Sequence, residues 1–389
     1  MAMRSRSFLL LIAAAAIGLS HAPLLADVFD EHVSVIARVG TEGAGSQSAR
    51  HASQALAALG GETIPRLLVA MEVDNPVAAN WYRTAYEAIV QRELSASMPA
   101  IPLAEIKGMV ADESRTGRVR RLALALCDRL DPAYSARFIP GRLDDSEFRA
   151  DAVDAALGAG QRVLDAGDSV AASELFLKAF EHARTSTQCV RAAERLASLG
   201  QTVDTHSHLG LVVDWWLIGP FDAPAFSGFD RQFPPEQTID LAARYVGQQG
   251  QELAWKRFRT SVPLGTLNLV EALAPAREAV GYAYAELESP QDQQAELRCG
   301  ADDNCTVWLN DQKVFGRQQW LNGTRFDRFV TPVQLRSGKN RLLVKVCQGP
   351  PNRDPQVPNN WTVQLRFTNL KGDGLALKSM LPAISEETR

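Results

Sequence analysis

The chain has 389 residues, of which 46% are hydrophobic and 22% charged, an ordinary globular composition that excludes a disordered or fibrous chain. Its 41 basic and 45 acidic residues give a formal charge of −4. That balance offers no basic patch to neutralise a phosphate backbone, so nucleic acid is excluded as a partner.

Residues 1–26 read as a secretory leader. Arg4 and Arg6 precede the apolar run FLLLIAAAAIGL, and HAPLLA leads to Asp27, with cleavage expected after Ala26. The apolar run, about 12 residues long, is too short to span a bilayer. No cysteine follows the cut to carry a lipid. The expected location is periplasmic or secreted, and the chain is not expected to span a membrane.

Residues 27–200 are predicted to be helical. Ala, Leu, Arg and Glu recur at helical spacing, and Pro65, Pro102 and Pro140 fall at intervals of roughly 37–38 residues. Each proline suits the first turn of a helix, where its missing N–H costs no bond. Asp-containing turns follow at Asp74, Asp112 and Asp144, then Arg83 with Ala85, Arg120 with Ala123 and Arg149 with Ala152. Over residues 45–160 this pattern resembles HEAT repeats. The resemblance implies helix pairs stacked into an α-solenoid with a concave surface for a protein partner.

Residues 201–211 read as a polar linker that contains DTHSH, from Asp204 to His208. The string resembles the metal-binding strand of amidohydrolases, where two histidines on one strand face share a metal. Such sites take further histidines from later in a barrel. The histidines here are His21, His32, His51, His182, His206 and His208, so nothing after His208 supplies them. The match therefore reads as accidental, and a metal-dependent hydrolase built on Asp204, His206 and His208 stands third among the functional readings. No phosphate loop, GxSxG elbow, HExxH helix or dinucleotide fingerprint is present.

Residues 212–372 change character to short strands punctuated by Gly, Pro and Asn. Trp361, Val363, Leu365 and Phe367 alternate onto one face, and Asn310 with Asp311 marks a tight hairpin. Residues 373–389 read as a polar tail. The order WLIGPF, GFDRQFPPE, Trp255, YAYAELESPQDQQAELRCGADDNCTVWLNDQKVF, VQLRSGKNRLLVKVCQ and WTVQLRF resembles the galactose-binding-like jelly-roll modules of secreted bacterial proteins. It is similar to the sugar-binding domain of family-two glycoside hydrolases and, more distantly, to protective-antigen-type lectin domains. The predicted fold class is therefore multidomain α + β, an N-terminal solenoid followed by an antiparallel β-sandwich. Where that family carries Gly-Ser-Asp-Asp-Gly, this chain has Gly300, Ala301, Asp302, Asp303 and Asn304.

Sugars are held by aromatic stacking and planar polar groups. Trp308 and Trp361 lie in strands and read as core, while Trp215 and Trp216, being adjacent, face opposite ways. Trp320 is the freest aromatic; with Arg317, Gln318 and Asn322 beside it, it is the predicted stacking platform. Asp302 and Asp303 admit three readings: the capped apex of a turn, calcium ligands, or a catalytic carboxylate pair. No other cofactor is implied. In an oxidising compartment Cys299 and Cys305, which flank this loop, are the expected disulfide; Cys347 reads as a buried thiol, and Cys127 and Cys189 pair only if the fold joins them. The favoured function is a non-enzymatic binding protein for carbohydrate or a surface polymer. The alternative is a protein-binding scaffold without a sugar ligand.

Overall fold

The computed structural model describes residues 22–320, 323–349 and 360–380. Most of the expected leader, and Asn322, lie outside the described residues. The described chain is mixed α and β, helices first and antiparallel sheets after, and divides into two compact units, Met1–Phe138 and Ile139–Arg389. That boundary differs from the one expected at 201–211, because four helices belong with the sheets.

The first unit holds α1 (Ala22–Ala37), α2 (Ser46–Ala57), α3 (Ile64–Ala70), α4 (Pro76–Ser95), α5 (Leu103–Ala111), α6 (Gly117–Leu130) and α7 (Tyr134–Phe138). Pro65 sits in the first turn of α3 and Pro102 at the N-cap of α5. Asn75, not Asp74, caps α4: its side chain accepts from the amides of Val77 at 3.0 Å and Ala78 at 3.3 Å. Along α4, Ala78, Tyr82, Ala85, Ile89 and Glu93 form the buried stripe. The Tyr82 hydroxyl donates to the Val33 carbonyl at 2.8 Å and that of Tyr86 to Leu122 at 3.2 Å, fastening α4 to α1 and α6.

The arginines read as equivalents across the repeats do not behave alike. Arg120 is buried and donates to the Val110 carbonyl at 2.9 Å. Arg83 lies exposed and pairs with Glu87 one turn on. Arg149, in the second unit, donates to Leu143 at 2.9 Å.

The second unit begins with a 3₁₀ turn at Ile139–Gly141 containing Pro140, then α8 (Arg149–Asp165), α9 (Ser169–His182), α10 (Ser186–Ser198) and α11 (Thr205–Leu209). Gly160 of α8 faces Phe176 of α9 so closely that a Cβ would stand 2.7 Å from the ring, which requires glycine there. Thirteen strands follow: β1 (Asp214–Asp222), β2 (Arg244–Val246), β3 (Glu252–Ala254), β4 (Lys256–Arg259), β5 (Leu267–Asn268), β6 (Ala279–Ser289), β7 (Gln293–Ala301), β8 (Cys305–Leu309), β9 (Gln312–Arg317), β10 (Phe329–Leu335), β11 (Gly338–Cys347), β12 (Thr362–Thr368) and β13 (Lys378–Ser379), with a short helix α12 (Leu269–Ala272) after β5.

One sheet runs β4-β1-β6-β11-β8-β9, with β13 also on β6; a second runs β10-β7-β12-β5; β2 and β3 form a small ribbon. Asn310 and Asp311 both take positive φ, 51° and 67°, as the hairpin between β8 and β9 requires. Residues 373–380 are not simply a polar tail. Lys378 and Ser379 pair with β6, and Asp373 receives Arg149 at 3.3 Å and Arg184.

Alternation along the strands gives each sheet an inward face, and the two faces share one core. Trp215, Ala283, Val307 and Val344 come from the larger sheet, and Leu297, Trp361, Val363, Leu365 and Phe367 from the side of the smaller. Trp361 is fully buried, its Nε1 donating to Val346 at 3.0 Å. Trp216 does face the other way from Trp215, but it is buried too. The connection from β1 through β3 lays Phe233, Leu253 and Trp255 over the outer face of the larger sheet and builds a second core there.

Candidate functional site

The loop singled out in the sequence is buried. Asp302 is 3% and Asp303 1% exposed. The Gly323 amide donates to Asp302 Oδ1 at 2.5 Å and the Gly349 amide to Asp303 Oδ2 at 2.6 Å. Asn304 Oδ1 accepts from the Gln319 amide at 2.6 Å. Gly300 is needed because a Cβ would lie 2.1 Å from the Arg325 carbonyl oxygen. These side chains draw the β9–β10 and β11–β12 connections onto the β7–β8 turn. Of the three readings of Asp302 and Asp303, this is the geometry of a capped turn apex: an amide from a distant connection holds one oxygen of each carboxylate. Among the described residues no three His, Cys, Asp or Glu side chains are grouped to hold a metal ion. Trp320 is half-buried with its ring edge-on to Phe226, centroids 5.8 Å apart. Arg317 and Gln318 are exposed at the end of β9.

The predicted Cys299–Cys305 disulfide is also corrected. All five cysteines are free and buried. Cys299 leaves β7 in the smaller sheet and Cys305 enters β8 in the larger, and both point into the shared core. Burial pushes the Cys299 thiol up to about 12 and Cys305 well above the usual thiol range, which suppresses the thiolate that disulfide exchange needs. Cys347 is buried as expected, and Cys127 and Cys189 fall in different units.

DTHSH is the helix α11, not a strand. Asp204 caps it, accepting from Ser207 N at 3.0 Å and Ser207 Oγ at 2.6 Å, and these bonds hold its carboxyl below the usual range. His206 Nε2 lies 2.8 Å from the Val262 carbonyl and His208 Nε2 2.8 Å from the Ala183 carbonyl. Helical residues two apart do not share a face, so the two rings do not form the same-face pair of the resembled strand. The strand that the resemblance implied for Asp204, His206 and His208 is corrected to a helix.

A different site emerges on the outer face of the larger sheet. Cross-strand register lines up Trp216, Tyr284, Leu343 and Trp308 in one row, from β1 through β6 and β11 to β8. The adjoining row carries Ile218, Tyr282, Lys345 and Thr306. The connection from β1 covers the first end of these rows and stops short of the last. A groove of about 350 Å³ remains, walled by residues 235–239 and floored by Tyr284, Leu343 and Trp308, with Asp311 and Arg341 at its rim.

The charges of this groove are fixed from beneath. Lys345 is 1% exposed, and its Nζ donates to Glu236 Oε1 at 2.8 Å, Arg231 O at 2.7 Å and Phe229 O at 3.3 Å. The Tyr282 hydroxyl donates to the same Glu236 oxygen, and burial, with that carboxylate beside it, pushes the phenol far above its ordinary value. Arg341 pairs with Asp311 at the rim. Tyr284 donates to Glu286 at 2.8 Å, and burial raises it as well.

Trp308 was expected in the core; it is half-buried and lines the groove. Strand periodicity places it on the outer face, but only the extent of the covering connection decides whether that face is closed. The available signal was the Asn310–Asp311 hairpin two residues on, which sets Asp311 against Arg341.

No protein-family model matches the chain, and no curated protein matches it. Among solved structures it is similar to a glycosyl hydrolase family 2 member from Bacteroides cellulosilyticus, with 16% identity and a TM-score of 0.24 over 41% of this chain and 20% of that one. A β-galacturonidase of the same family from Eisenbergiella tayi gives 12% identity and a TM-score of 0.22 over 39% of this chain and 23% of that one. A β-glucosidase from Kluyveromyces marxianus gives 11% identity and 0.25 over 78% and 38%. The chain thus spans only a minor part of each enzyme, and likeness of this extent assigns no activity.

Proposed function

We propose that the protein is a non-enzymatic carbohydrate-binding protein that works in the periplasm or outside the cell. In this reading the two sheets of the second unit form a galactose-binding-like sandwich, and the first unit is a HEAT-like solenoid that docks a protein partner. The observation that supports it is the groove beside Trp308: a partly exposed indole next to carboxylate and guanidinium groups is the combination that holds a pyranose ring. Among the described residues no helix is long and apolar enough to cross a membrane.

Glycan-array binding of the full chain, with Trp308→Ala and Trp320→Ala beside it, tests the proposal. Binding that survives Trp320→Ala and weakens with Trp308→Ala is the expected result. Silence across the array overturns it and leaves the protein-binding scaffold.

A further inference from the structure

The groove's charges define the class of ligand, an inference that rests on the carbohydrate reading above. Its lining carries Glu236, Asp311 and Arg341, with Lys345 directly beneath. Lys345 has three N–H donors, and three protein oxygens take them. Arg341 is paired with Asp311. Lys345 has no donor left over for an incoming anion, and the charge of Arg341 is already offset by Asp311. Glu236 is occupied on one side only: Oε1 receives Tyr282, Lys345 and the Phe233 amide, while among the described residues Oε2 receives no bond, and the residue lines the groove.

We infer that the groove takes an uncharged saccharide, stacked on Trp308, and rejects uronates. Neutral hydroxyls donate to Glu236 Oε2 and Asp311 and accept from Arg341 without disturbing either ion pair. A uronate carboxylate meets two carboxylates, Glu236 and Asp311, and the one cation in reach, Arg341, already has its charge offset by Asp311. The volume, about 350 Å³, is at the lower end of small-molecule sites, which suits the end of a glycan more than a long internal stretch.

Calorimetric titration of the full chain with cellobiose, lactose and oligogalacturonate, at low and high salt, tests this. The expected result is binding of a neutral sugar with affinity that changes less than about twofold with salt, as for contacts without net charge. Trp308→Ala weakens it by about tenfold, the scale of a lost stacking contact. Oligogalacturonate gives no heat. Binding of oligogalacturonate that weakens with salt and is lost in Arg341→Gln overturns the inference while the carbohydrate reading stands. Binding of neither class, together with a silent array, removes both.

Discussion

Lys345 and Glu236, 109 positions apart in sequence, form an ion pair at 2.8 Å under the groove, with the lysine all but excluded from water. The pair pins the connection carrying Phe229, Arg231 and Phe233 to the central strand β11. Removing one partner strands the other charge, so Lys345→Ala should cost about 3–5 kcal/mol. Lys345→Met combined with Glu236→Gln should recover much of that loss. Urea denaturation of the two variants measures it; equal losses in the single and double variants would contradict the pairing.

Trp361 closes the core between the sheets and gives its Nε1 proton to Val346. Trp361→Ala should destabilise the second unit by about 3–5 kcal/mol, through lost burial and the cavity left behind. Trp361→Phe should cost about 1–3 kcal/mol, chiefly through the Val346 carbonyl left without its donor. Thermal unfolding read by near-ultraviolet circular dichroism ranks them.

The thiols should be silent until the protein unfolds. With Cys127 pushed up to about 11, and Cys189, Cys299 and Cys347 to about 12, little thiolate exists at neutral pH, and none of the five side chains is open to reagent. Titration with Ellman's reagent should find no thiol in the native protein and all five in denaturant. Two missing from the denatured count would restore the disulfide.

His208 introduces a pH dependence. Burial lowers its pKa, while neighbouring Arg184 and Arg366 lower it further, against the Ala183 carbonyl and Asp373, which raise it; its ring packs on Phe180 at 4.4 Å. The folded protein holds the neutral ring, whereas the unfolded chain takes up a proton near pH 6.5. Stability from this group is therefore present above about pH 6.5 and is lost as pH falls below it. Asp373, depressed on balance by Asn369, Arg184 and Arg149 against its burial, keeps its share until the pH approaches the ordinary carboxylate range. His208→Gln should flatten the decline between about pH 6.5 and 5 in denaturation midpoints.

Periodicity made the strands legible: Trp361 through Phe367 alternate as read, and Asn310–Asp311 turns as read. Pro65 and Pro102 marked helix starts, where the missing N–H is tolerated, but Pro140 lies in a 3₁₀ turn ahead of α8 and not in its first turn. What sequence could not show was which outer surfaces are covered. Gln364 and Arg366 lie on the polar side of β12 yet are buried, Arg366 beneath Asp327 and the Leu209 carbonyl. Trp308 lies on an outer face and stays partly open. The carboxylates at 302 and 303 stayed open between turn cap and ligand because polarity carries no sign of burial; they accept from amides of connections far along the chain. Coverage is a long-range property, and it decides where the site lies.

Hydrogen–deuterium exchange of the full chain with and without a saturating neutral oligosaccharide tests the central claim most directly. The account predicts slower exchange in residues 234–241, 305–313 and 341–345, which wall and floor the groove, and no change in residues 316–326. Protection confined to 316–326, around Trp320, would contradict it.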